Sequence, residues 1–417
     1  MEVDYITLAV PAFFVLIALE LWITHRRGHA YYRLNDSLND LATGVLQQLV
    51  TLLFAAAIVA GYFAIHASSR LFELPADDLL VWIGCFVGVD FAYYWFHRLS
   101  HEINFLWAAH VVHHQSEEYN LTVALRQSAL QPFLSIPFYW PLALLGVPPL
   151  VFLACSSFNT LYQFWIHTRE IGTLGPLERI FMTPSHHRVH HGRNPLYIDR
   201  NHGGTFIVWD KLFGTFEPES EAVVYGVTKP LASWNPVWAN LDYWVDLGRA
   251  ARATRRWRDK LLVFLARPGW MPADLGGFQA APPVSPDLTK FDPAVDARLA
   301  AYATFQFVQV VGLSVVLPIV YSSLAAPARG LITIGIVWGL ANVGALFEGA
   351  RWGAVSEWGR ILAMPIVAVA LAPPPFGAIA GAALLLNPAL ALFVGLRRGE
   401  DGPATVGAAT IRDESCP

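Results

Sequence analysis

Long apolar segments, each bounded by charged or turn-forming residues, dominate this sequence. A helix needs about 20 apolar residues to cross the hydrocarbon core of a bilayer, and runs near that length recur along the whole chain. The candidates are 6–24, 41–65, 79–96, 132–145, 149–166, 299–321, 331–346, 361–372 and 376–396. We therefore predict an all-α fold, a polytopic bundle of membrane helices.

The composition supports this class and excludes others. Hydrophobic residues make up 55% of the 417 residues and charged residues only 14%, which excludes an ordinary soluble globular protein. The net charge is -4 and the basic residues form only one short cluster, at 249–260, so nucleic acid is not an expected partner and lipid is. Cys85, Cys155 and Cys416 have no CxxC spacing, which argues against disulfides and a thiolate zinc site.

Basic residues near the ends of the apolar segments predict the orientation. One set of loops carries Arg26, Arg27, Arg33, Arg98, Arg126, Arg169, Arg351, Arg360, Arg397 and Arg398. The opposite set carries Arg70 and Arg329. We expect a retained first helix with its amino terminus outside, the carboxyl terminus in the cytosol, and 97–131 and 167–298 on the cytosolic face. The "GVPP" turn at 146–149 predicts a membrane hairpin between the fourth and fifth segments.

This topology predicts four regions. Residues 1–78 hold the first membrane helices, and 79–260 form a core with the hairpin and a cytosolic, histidine-rich helical cap. Residues 261–298 are a Pro/Gly-rich linker, and 299–417 hold further membrane helices and a short tail. Ten of the 14 histidines lie in the core, between His97 and His191. A multi-pass membrane protein with its site on the cytosolic face is the expected arrangement.

Eight of these histidines fall in three clusters with helical spacing. The clusters are His97 and His101; His110, His113 and His114; and His187, His190 and His191. Spacings of three and four residues place imidazoles on one side of a helix. Burying so many imidazoles costs desolvation free energy and mutual repulsion on protonation, and a bound metal removes both costs. The pattern predicts a nitrogen-rich site for more than one first-row transition metal.

Other polar residues are candidate neighbours of this site. His167 ends the fifth segment, with Asn159 and Gln163 on the same helical stripe, so we predict His167 as a ninth ligand and Asn159 as a supporting partner. Asp90 precedes His97 by one heptad, where a carboxylate can orient a ligand imidazole. A helix-packing role for Asp90 and Asn159 stays open.

The remaining candidates depend on their neighbours in the sequence. His186 projects about 100° away from His187 on a helix, so we expect it beside the ligands rather than among them. Glu102 follows His101 and is a candidate ligand or hydrogen-bond partner of an imidazole, with a solvated loop glutamate as the alternative. His25, His29, His66 and His202 lack the spacing and are left out of the site.

Residues 83–216 resemble the fatty acid hydroxylase/sterol desaturase superfamily of membrane di-iron oxygenases. The resemblance rests on "DFAYYWFHRLSHE", "HVVHH", "FWIHT", "TPSHHRVHHGRN" and "YIDRNHGGTFIVWDKLFGTF", with a fainter match at "NDSLNDLATGVLQQL". Glu102, the wording of the third box and the additional carboxyl-terminal helices are most similar to the branch that cleaves alkylglycerol ether lipids. His202 departs from the family, which has tyrosine at that position.

The resemblance implies that the eight box histidines and His167 bind two iron ions, with zinc as a replacement in purified protein. It implies activation of dioxygen and hydroxylation of a lipid C–H bond. In an alkylglycerol, hydroxylation beside the ether oxygen gives a hemiacetal that breaks down to an aldehyde. The implied electron donor is a reductase or a reduced pterin, tetrahydrobiopterin, on the cytosolic side. The oligomeric state stays open.

Several alternatives remain at this point. Within the superfamily, hydroxylation or desaturation of a sterol, a fatty acid or a carotenoid fits the same boxes. A zinc-dependent membrane hydrolase needs a general base, and the chain has no His-Glu-x-x-His motif. A metal transporter places its ligands near the middle of the bilayer, whereas these histidines gather at helix ends and in the cap.

Overall fold

The computed structural model describes residues 5–284, 289–371 and 376–396. Within these ranges the chain is helical and forms no β-strand, only two isolated bridges, Phe181 to Phe206 and Gly192 to Tyr225. The predicted all-α fold is confirmed. Arg397, Arg398 and Cys416, which entered the sequence predictions, lie outside the described residues.

The chain divides into two compact units, Met1–Phe291 and Asp292–Pro417. The helices of the first unit are α1 (Tyr5–Arg27), α2 (Leu34–Ser69), α3 (Leu79–Glu102), α4 (Asn104–His114), α5 (Gln131–Ser135), α6 (Trp140–Leu144), α7 (Pro149–Trp165), α8 (Pro184–His190), α9 (Val208–Phe213), α10 (Pro236–Ala253) and α11 (Trp257–Leu265). The described helices of the second unit are α12 (Ala297–Val320), α13 (Ala326–Phe347), α14 (Arg351–Leu371) and α15 (Phe376–Phe393).

Five helices in the described ranges are long and apolar enough to cross a membrane. Their apolar spans are Leu8–Arg27, Leu34–Ser69, Leu79–Glu102, Ala297–Ser323 and Ala326–Phe347. The chain is therefore a multi-pass membrane protein. The predicted segment 361–372 falls in α14, whose first half carries Glu357 and Arg360. Residue 372 of that segment lies outside the described ranges.

The predicted membrane hairpin at 132–166 consists of two arms that are shorter than a full membrane span. Residues 131–144 form α5, a 3-10 turn at Ile136–Tyr139 and α6, each of four or five residues. A proline stands in the first turn of each piece, and a proline inside a continuous helix removes a backbone hydrogen bond. The second arm, α7, has 17 residues. It is about 25 Å long, short of the roughly 30 Å core of a bilayer.

The first two turns of α2 also differ from the prediction. The apolar run begins at residue 41, yet α2 begins at Leu34, because its polar start is buried against the protein. Asp36, Asn39 and Asp40 are all buried, and Asp40 pairs with Arg126 at 3.2 Å. The helix therefore joins a lipid-facing stretch to a polar anchor inside the first unit.

Helix α3 has a similar change of surroundings along its length. Its first half exposes large apolar side chains, including Leu79, Leu80 and Ile83, while His97 and His101 near its end are buried. Ile103 has an extended backbone, with φ -128°, and separates α3 from α4. This short break allows α3 and α4, which both carry histidines, to pack against each other.

The second unit contains a buried polar network between apolar helices. Glu357 and Arg360 of α14 form an ion pair with a 2.6 Å contact. Glu357 also accepts hydrogen bonds from the Tyr302 hydroxyl (2.9 Å) and the Asn342 amide (2.9 Å). Arg360 donates to the Gln306 side chain at 2.7 Å. These contacts link α12, α13 and α14, so that each buried charge has partners.

Gly44 of α2 lies where the backbone of Leu125 approaches the helix closely, so this position has no room for a side chain. A Cβ at this position would lie 2.3 Å from the carbonyl oxygen of Leu125, whereas a Cβ at Gly84 of α3 would meet nothing within 4 Å. We expect Gly44→Ala to lower the free energy of unfolding by about 1–3 kcal/mol because of overpacking. Thermal unfolding in nanodiscs measures this, with Gly84→Ala as the control. Equal melting temperatures for the two variants would contradict the assignment.

Candidate metal centre

Nine buried histidines form two groups whose ring nitrogens converge. In each group one nitrogen per residue lies within 4.8 Å of the corresponding atoms of all the others. The first group is His97, His101, His110, His114 and His190. The second group is His113, His167, His187 and His191. All eight box histidines and His167 are thus brought together, as the sequence predicted.

Helical spacing decides which group each histidine joins. On α4, His110 and His114 are four residues apart and enter the first group, while His113 points to the second. The α8 region has the reverse pattern, because His187 and His191 enter the second group and His190 the first. Residues four apart lie on one stripe of a helix, whereas the sequence neighbours His113 and His114, like His190 and His191, project about 100° apart. Each of these two elements therefore supplies both groups.

The first group has the shape of a square pyramid. Its base is a closed cycle of ring contacts: His97 to His110 (4.7 Å between centroids), His110 to His114 (5.0 Å), His114 to His190 (4.8 Å) and His190 to His97 (4.3 Å). The ring of His101 contacts all four at 4.8–5.4 Å. Five imidazoles therefore approach one centre.

The two groups meet through the base of this pyramid. The ring contacts between groups are His110 to His113 (5.7 Å), His113 to His114 (5.3 Å), His114 to His191 (4.4 Å), His187 to His190 (5.2 Å) and His190 to His191 (5.3 Å). Every first-group histidine in these contacts belongs to the base. The two groups therefore touch through His110, His114 and His190, and His97 and His101 lie away from the second group.

Carbonyl oxygens fix the orientation of five of the nine rings. The Nδ1 atoms lie 2.7–2.9 Å from an oxygen of a backbone carbonyl or, for Gln131, of a side-chain amide. The pairs are His97 with His202, His110 with Gln131, His113 with Arg126, His167 with Gln163 and His190 with Arg200. A carbonyl oxygen only accepts, so Nδ1 carries the hydrogen and Nε2 has a free lone pair.

These free lone pairs face one another without a hydrogen between them. The Nε2 atoms of His113 and His167 are 3.3 Å apart, although both rings donate through Nδ1. The Nε2 atoms of His97, His101, His190 and His191 are buried without any hydrogen-bond partner. Imidazole nitrogens bind a divalent first-row metal at about 2.1 Å, so two ligands of one ion lie about 3 Å apart. The donor set fits such ions.

Burial keeps these histidines in the neutral form that binds metal. Desolvation lowers the pKa of His110 to about 4. Desolvation, followed by repulsion from neighbouring imidazoles, also holds the pKa values of His114 and His191 well below their usual range. The rings are therefore unprotonated at neutral pH, which is the state that metal coordination requires.

Asp90 and Asn159 are linked to each other rather than to an imidazole. Asp90 accepts hydrogen bonds from the Asn159 amide (2.6 Å), the Thr205 amide (2.6 Å) and the Trp209 indole (2.8 Å). Asn159 also accepts from Gln163 at 2.9 Å. This pair therefore holds the 205–209 segment. The ring of His97 is oriented by the carbonyl of His202, not by Asp90.

Glu102 lies on the rim of the first group. Its carboxylate contacts the guanidinium of Arg98 at 3.1 Å and that of Arg267 at 3.5 Å. The two arginines come from α3 and from the residues after α11. Glu102 thus joins the end of α3 to the segment after α11 through two arginines, while the preceding His101 enters the group.

His186 lies beside the groups, as its position before His187 predicted. Its ring packs on Phe216 at 5.5 Å, and its carbonyl oxygen accepts a 3.0 Å hydrogen bond from Asn201. Asn201 and Asp199 both have φ near +55°, a backbone conformation that non-glycine residues rarely adopt. These contacts shape the loop at 199–204, whose carbonyl groups orient His97 and His190.

His202 is the residue that spacing alone excluded and the structure brings to the site. It is fully buried, and its ring lies 5.2 Å from that of His101 and 5.7 Å from those of His97 and His190. Its backbone amide donates to Asp210 at 2.7 Å. The "RNHGG" motif was its only signal in the sequence, because it comes from a loop rather than from a helical stripe.

Arg126 connects the second group to the buried start of α2. Its carbonyl oxygen accepts from His113, while its guanidinium donates to Gln115 (2.9 Å) and pairs with Asp40. The guanidinium also donates to Asn39. A fully buried arginine needs such a set of acceptors, and here they hold the loop that orients a ligand.

Comparisons with known proteins agree with this site. The family model described as "Fatty acid hydroxylase" matches residues 82–215, which include all nine histidines. Alkylglycerol monooxygenase from Xenopus tropicalis is 42% identical over 362 residues, 86% of this chain and 81% of the relative. The Homo sapiens protein of that name is 45% identical over 309 residues, 73% of this chain and 69% of the relative.

A more distant relative has a different lipid in its name. Ornithine lipid hydroxylase OlsE from Rhizobium tropici is 32% identical over 149 residues, 35% of this chain and 45% of the relative. No solved structure matches the chain significantly.

Gln131 offers a test of the first group that leaves every ligand in place. Replacing it with methionine removes the oxygen that accepts from His110 Nδ1. We expect Gln131→Met to weaken metal binding by about 10–100-fold, as loss of a ligand's orienting partner does. Metal content after dialysis against graded chelator measures this. Gln47→Met, on a glutamine that bonds only Thr51, is the control, and equal retention in both variants would contradict the assignment.

Acid should destabilise the metal-free protein. The folded-state pKa of His110 lies near 4, below its ordinary value of 6.5, so the unfolded chain binds protons more readily between these values. The contribution of His110 to the free energy of unfolding is then fully present above pH 6.5 and is lost as the pH falls toward 4. Melting temperatures of chelator-treated protein across this range check the sign. A melting temperature that rises on acidification would contradict it.

Proposed function

The chain belongs to the fatty acid hydroxylase superfamily, in the group of the alkylglycerol monooxygenases, and we propose that it is a di-iron enzyme that hydroxylates lipids with dioxygen. The proposed reaction is hydroxylation of the carbon next to the ether oxygen of an alkylglycerol. The activity named for the relatives at 42% and 45% identity supports this reaction.

One observation carries the proposal: two adjacent groups of buried imidazoles with converging, unprotonated nitrogens. His97, His101, His110, His114 and His190 would hold one iron, and His113, His167, His187 and His191 the other. Two iron ions, when bound, supply the activation of dioxygen at such a site. Zinc binds imidazole at least as strongly as iron(II) does, so purified protein would also accept zinc.

The surrounding residues have defined tasks in this proposal. The carbonyl groups of Arg126, Arg200 and His202 hold three ligand rings in the orientation that binding requires. Close packing of the nine rings keeps bulk water from the reacting centre, which protects a strong oxidant from side reactions. The two groups adjoin through His110, His114 and His190, so ions held by the two groups would be neighbours.

The substrate is proposed to arrive from the bilayer. The same helix, α3, exposes Leu79 and Leu80 at one end and carries His97 and His101 at the other. A lipid can therefore keep its alkyl chain in hydrocarbon while its polar end reaches the histidines at the end of the span. This geometry suits a chain with one polar end better than a water-soluble substrate.

The proposed reaction balances with an external donor of two electrons. One oxygen atom of O2 enters the C–H bond as a hydroxyl group, and the other leaves as water with two electrons and two protons. The resulting hemiacetal splits into a fatty aldehyde and glycerol. We propose a reductase or tetrahydrobiopterin as the donor, on the cytosolic face. The distribution of basic residues among the loops supports that orientation.

Iron content and product analysis test the proposal together. Protein expressed with iron-57 should contain about two coupled irons per chain in Mössbauer spectra, one for each histidine group. It should convert an alkylglycerol into aldehyde with consumption of O2 when reduced pterin is supplied. His110→Ala and His167→Ala should lose both properties, and His66→Ala, on a histidine of α2 outside both groups, should keep them.

Two other outcomes would change the assignment. Iron-loaded protein that hydroxylates a sterol or fatty acid but leaves alkylglycerols intact would keep the chemistry and replace the substrate. A single zinc that survives either ligand substitution, under iron-replete expression, would remove the di-iron mechanism and favour hydrolase or transport chemistry.

A further inference from the structure

Helix α11 exposes a stripe of large apolar side chains to its surroundings. Trp257, Leu261 and Leu265 are 81%, 67% and 63% exposed, whereas Val263 between them is 1% exposed. Positions four residues apart share one side of a helix, so the three side chains form a continuous outward face. A helix on a water-facing surface has the opposite pattern, with its polar side outward.

The inner face of α11 is already satisfied by the protein. Val263 packs in a buried cluster with Ala108 of α4 and with Leu247 and Ala250 of α10. The outward stripe is therefore not a misplaced core face. It belongs to a helix with one apolar side against the protein and a second apolar side away from it.

Basic residues surround the start of this stripe. Between 249 and 260 the chain has six basic residues, Arg249, Arg252, Arg255, Arg256, Arg258 and Lys260, and one acidic residue, Asp259. The ammonium group of Lys260 donates hydrogen bonds to carbonyl groups at the end of α10, including those of Ala251 and Thr254 at 2.8 Å. Arg249 contacts Asp246. Within the described part of the chain, the side chains of Arg252, Arg256 and Arg258 form no ion pair.

The end of α11 is fixed at the end of a membrane span. The Asn104 amide donates to the carbonyl of Ala266 at 2.9 Å, and the Asn104 side chain donates to that of Val263 at 2.9 Å. Asn104 follows the last residue of α3, Glu102, by two positions, and α3 is one of the candidate spans. Helix α11 therefore lies at the level where that span leaves the bilayer.

We propose that α11 is an interfacial helix that binds an anionic lipid surface. Trp257, Leu261 and Leu265 enter the boundary between headgroups and acyl chains, and the neighbouring arginines bind lipid phosphates. A short helix with an apolar stripe, an aromatic residue and basic flanks has the properties of such an anchor. The net positive charge selects an anionic bilayer over a neutral one.

This anchor is connected to the histidine site. The carbonyl groups at the end of α11 bind Asn104, the first residue of α4, and α4 carries His110, His113 and His114. Arg267 contacts Glu102 at the end of α3. Fixing α11 on the bilayer therefore fixes the junction from which two of the histidine-bearing helices extend.

Spin labels in nanodiscs test the depth of α11. With Cys416→Ser as background, single labels are placed by Trp257→Cys, Leu261→Cys and Leu265→Cys, and a control label by Ser220→Cys, an exposed polar position outside the basic cluster. We expect collisions with O2 to exceed those with a water-soluble nickel complex several-fold at the three stripe positions. At the control position the nickel complex should dominate. Retained metal content shows that each labelled protein is folded.

The lipid composition tests the charge. In nanodiscs containing phosphatidylglycerol, the label at Leu261→Cys should lie deeper than in phosphatidylcholine alone. The triple change Arg255→Gln, Arg256→Gln and Arg258→Gln should remove that difference, because each basic residue near an anionic surface changes affinity about fivefold. Equal depth in both lipids would overturn the anionic selectivity.

Two results would overturn the anchor itself. A stripe label as open to the nickel complex as the control would place α11 in water. A stripe label immobile and shielded from both reagents would place the helix against protein, such as a second copy of the chain. Neither result depends on the reaction that the histidine site performs.

Discussion

The mutual repulsion of unpaired imidazole lone pairs is the constraint on which the rest of this structure depends. His113 and His167 point Nε2 atoms at each other because carbonyl oxygens hold their Nδ1 hydrogens away from the centre. Desolvated groups of this kind are costly without a cation. The loops that carry the carbonyl groups, at 126 and 199–204, are therefore as necessary to the site as the ligands are.

The supports of these loops reach far into the first unit. Arg126 orients His113 and is itself held by Asp40 and Asn39, which lie at the buried start of a membrane helix. Asp90 accepts hydrogen bonds from the segment that follows the 199–204 loop. Polar residues of α2 and α3 thus support the segments around the site. The sequence analysis expected Asp90 to orient an imidazole or to pack between helices, and the structure shows it bound to Thr205 and Trp209.

The sequence was most informative where periodicity and chemistry coincide. Spacings of three and four residues indicated eight of the nine converging histidines, and a polar stripe at the end of the fifth segment indicated His167, because helical stripes bring side chains to one side. Tertiary contacts decided the rest. Three prolines broke the segment at 132–145, and buried partners extended α2 beyond its apolar run. His202 was missed because a loop places it, and the acceptors of His97, His113 and His190 are backbone carbonyl groups, which leave no residue signature.

The sharing of α4 and α8 between the two groups has a further consequence for how the site is filled. His110 and His114 serve one group and His113 the other, and the residues of the α8 region are divided in the same way. An ion in either group would fix the rotation of both elements about their axes and so would prepare the ligands of its neighbour. Occupancy by two ions would then be cooperative, with empty and doubly filled chains favoured over singly filled ones. Shared supports of this kind would make the two groups fill as a pair.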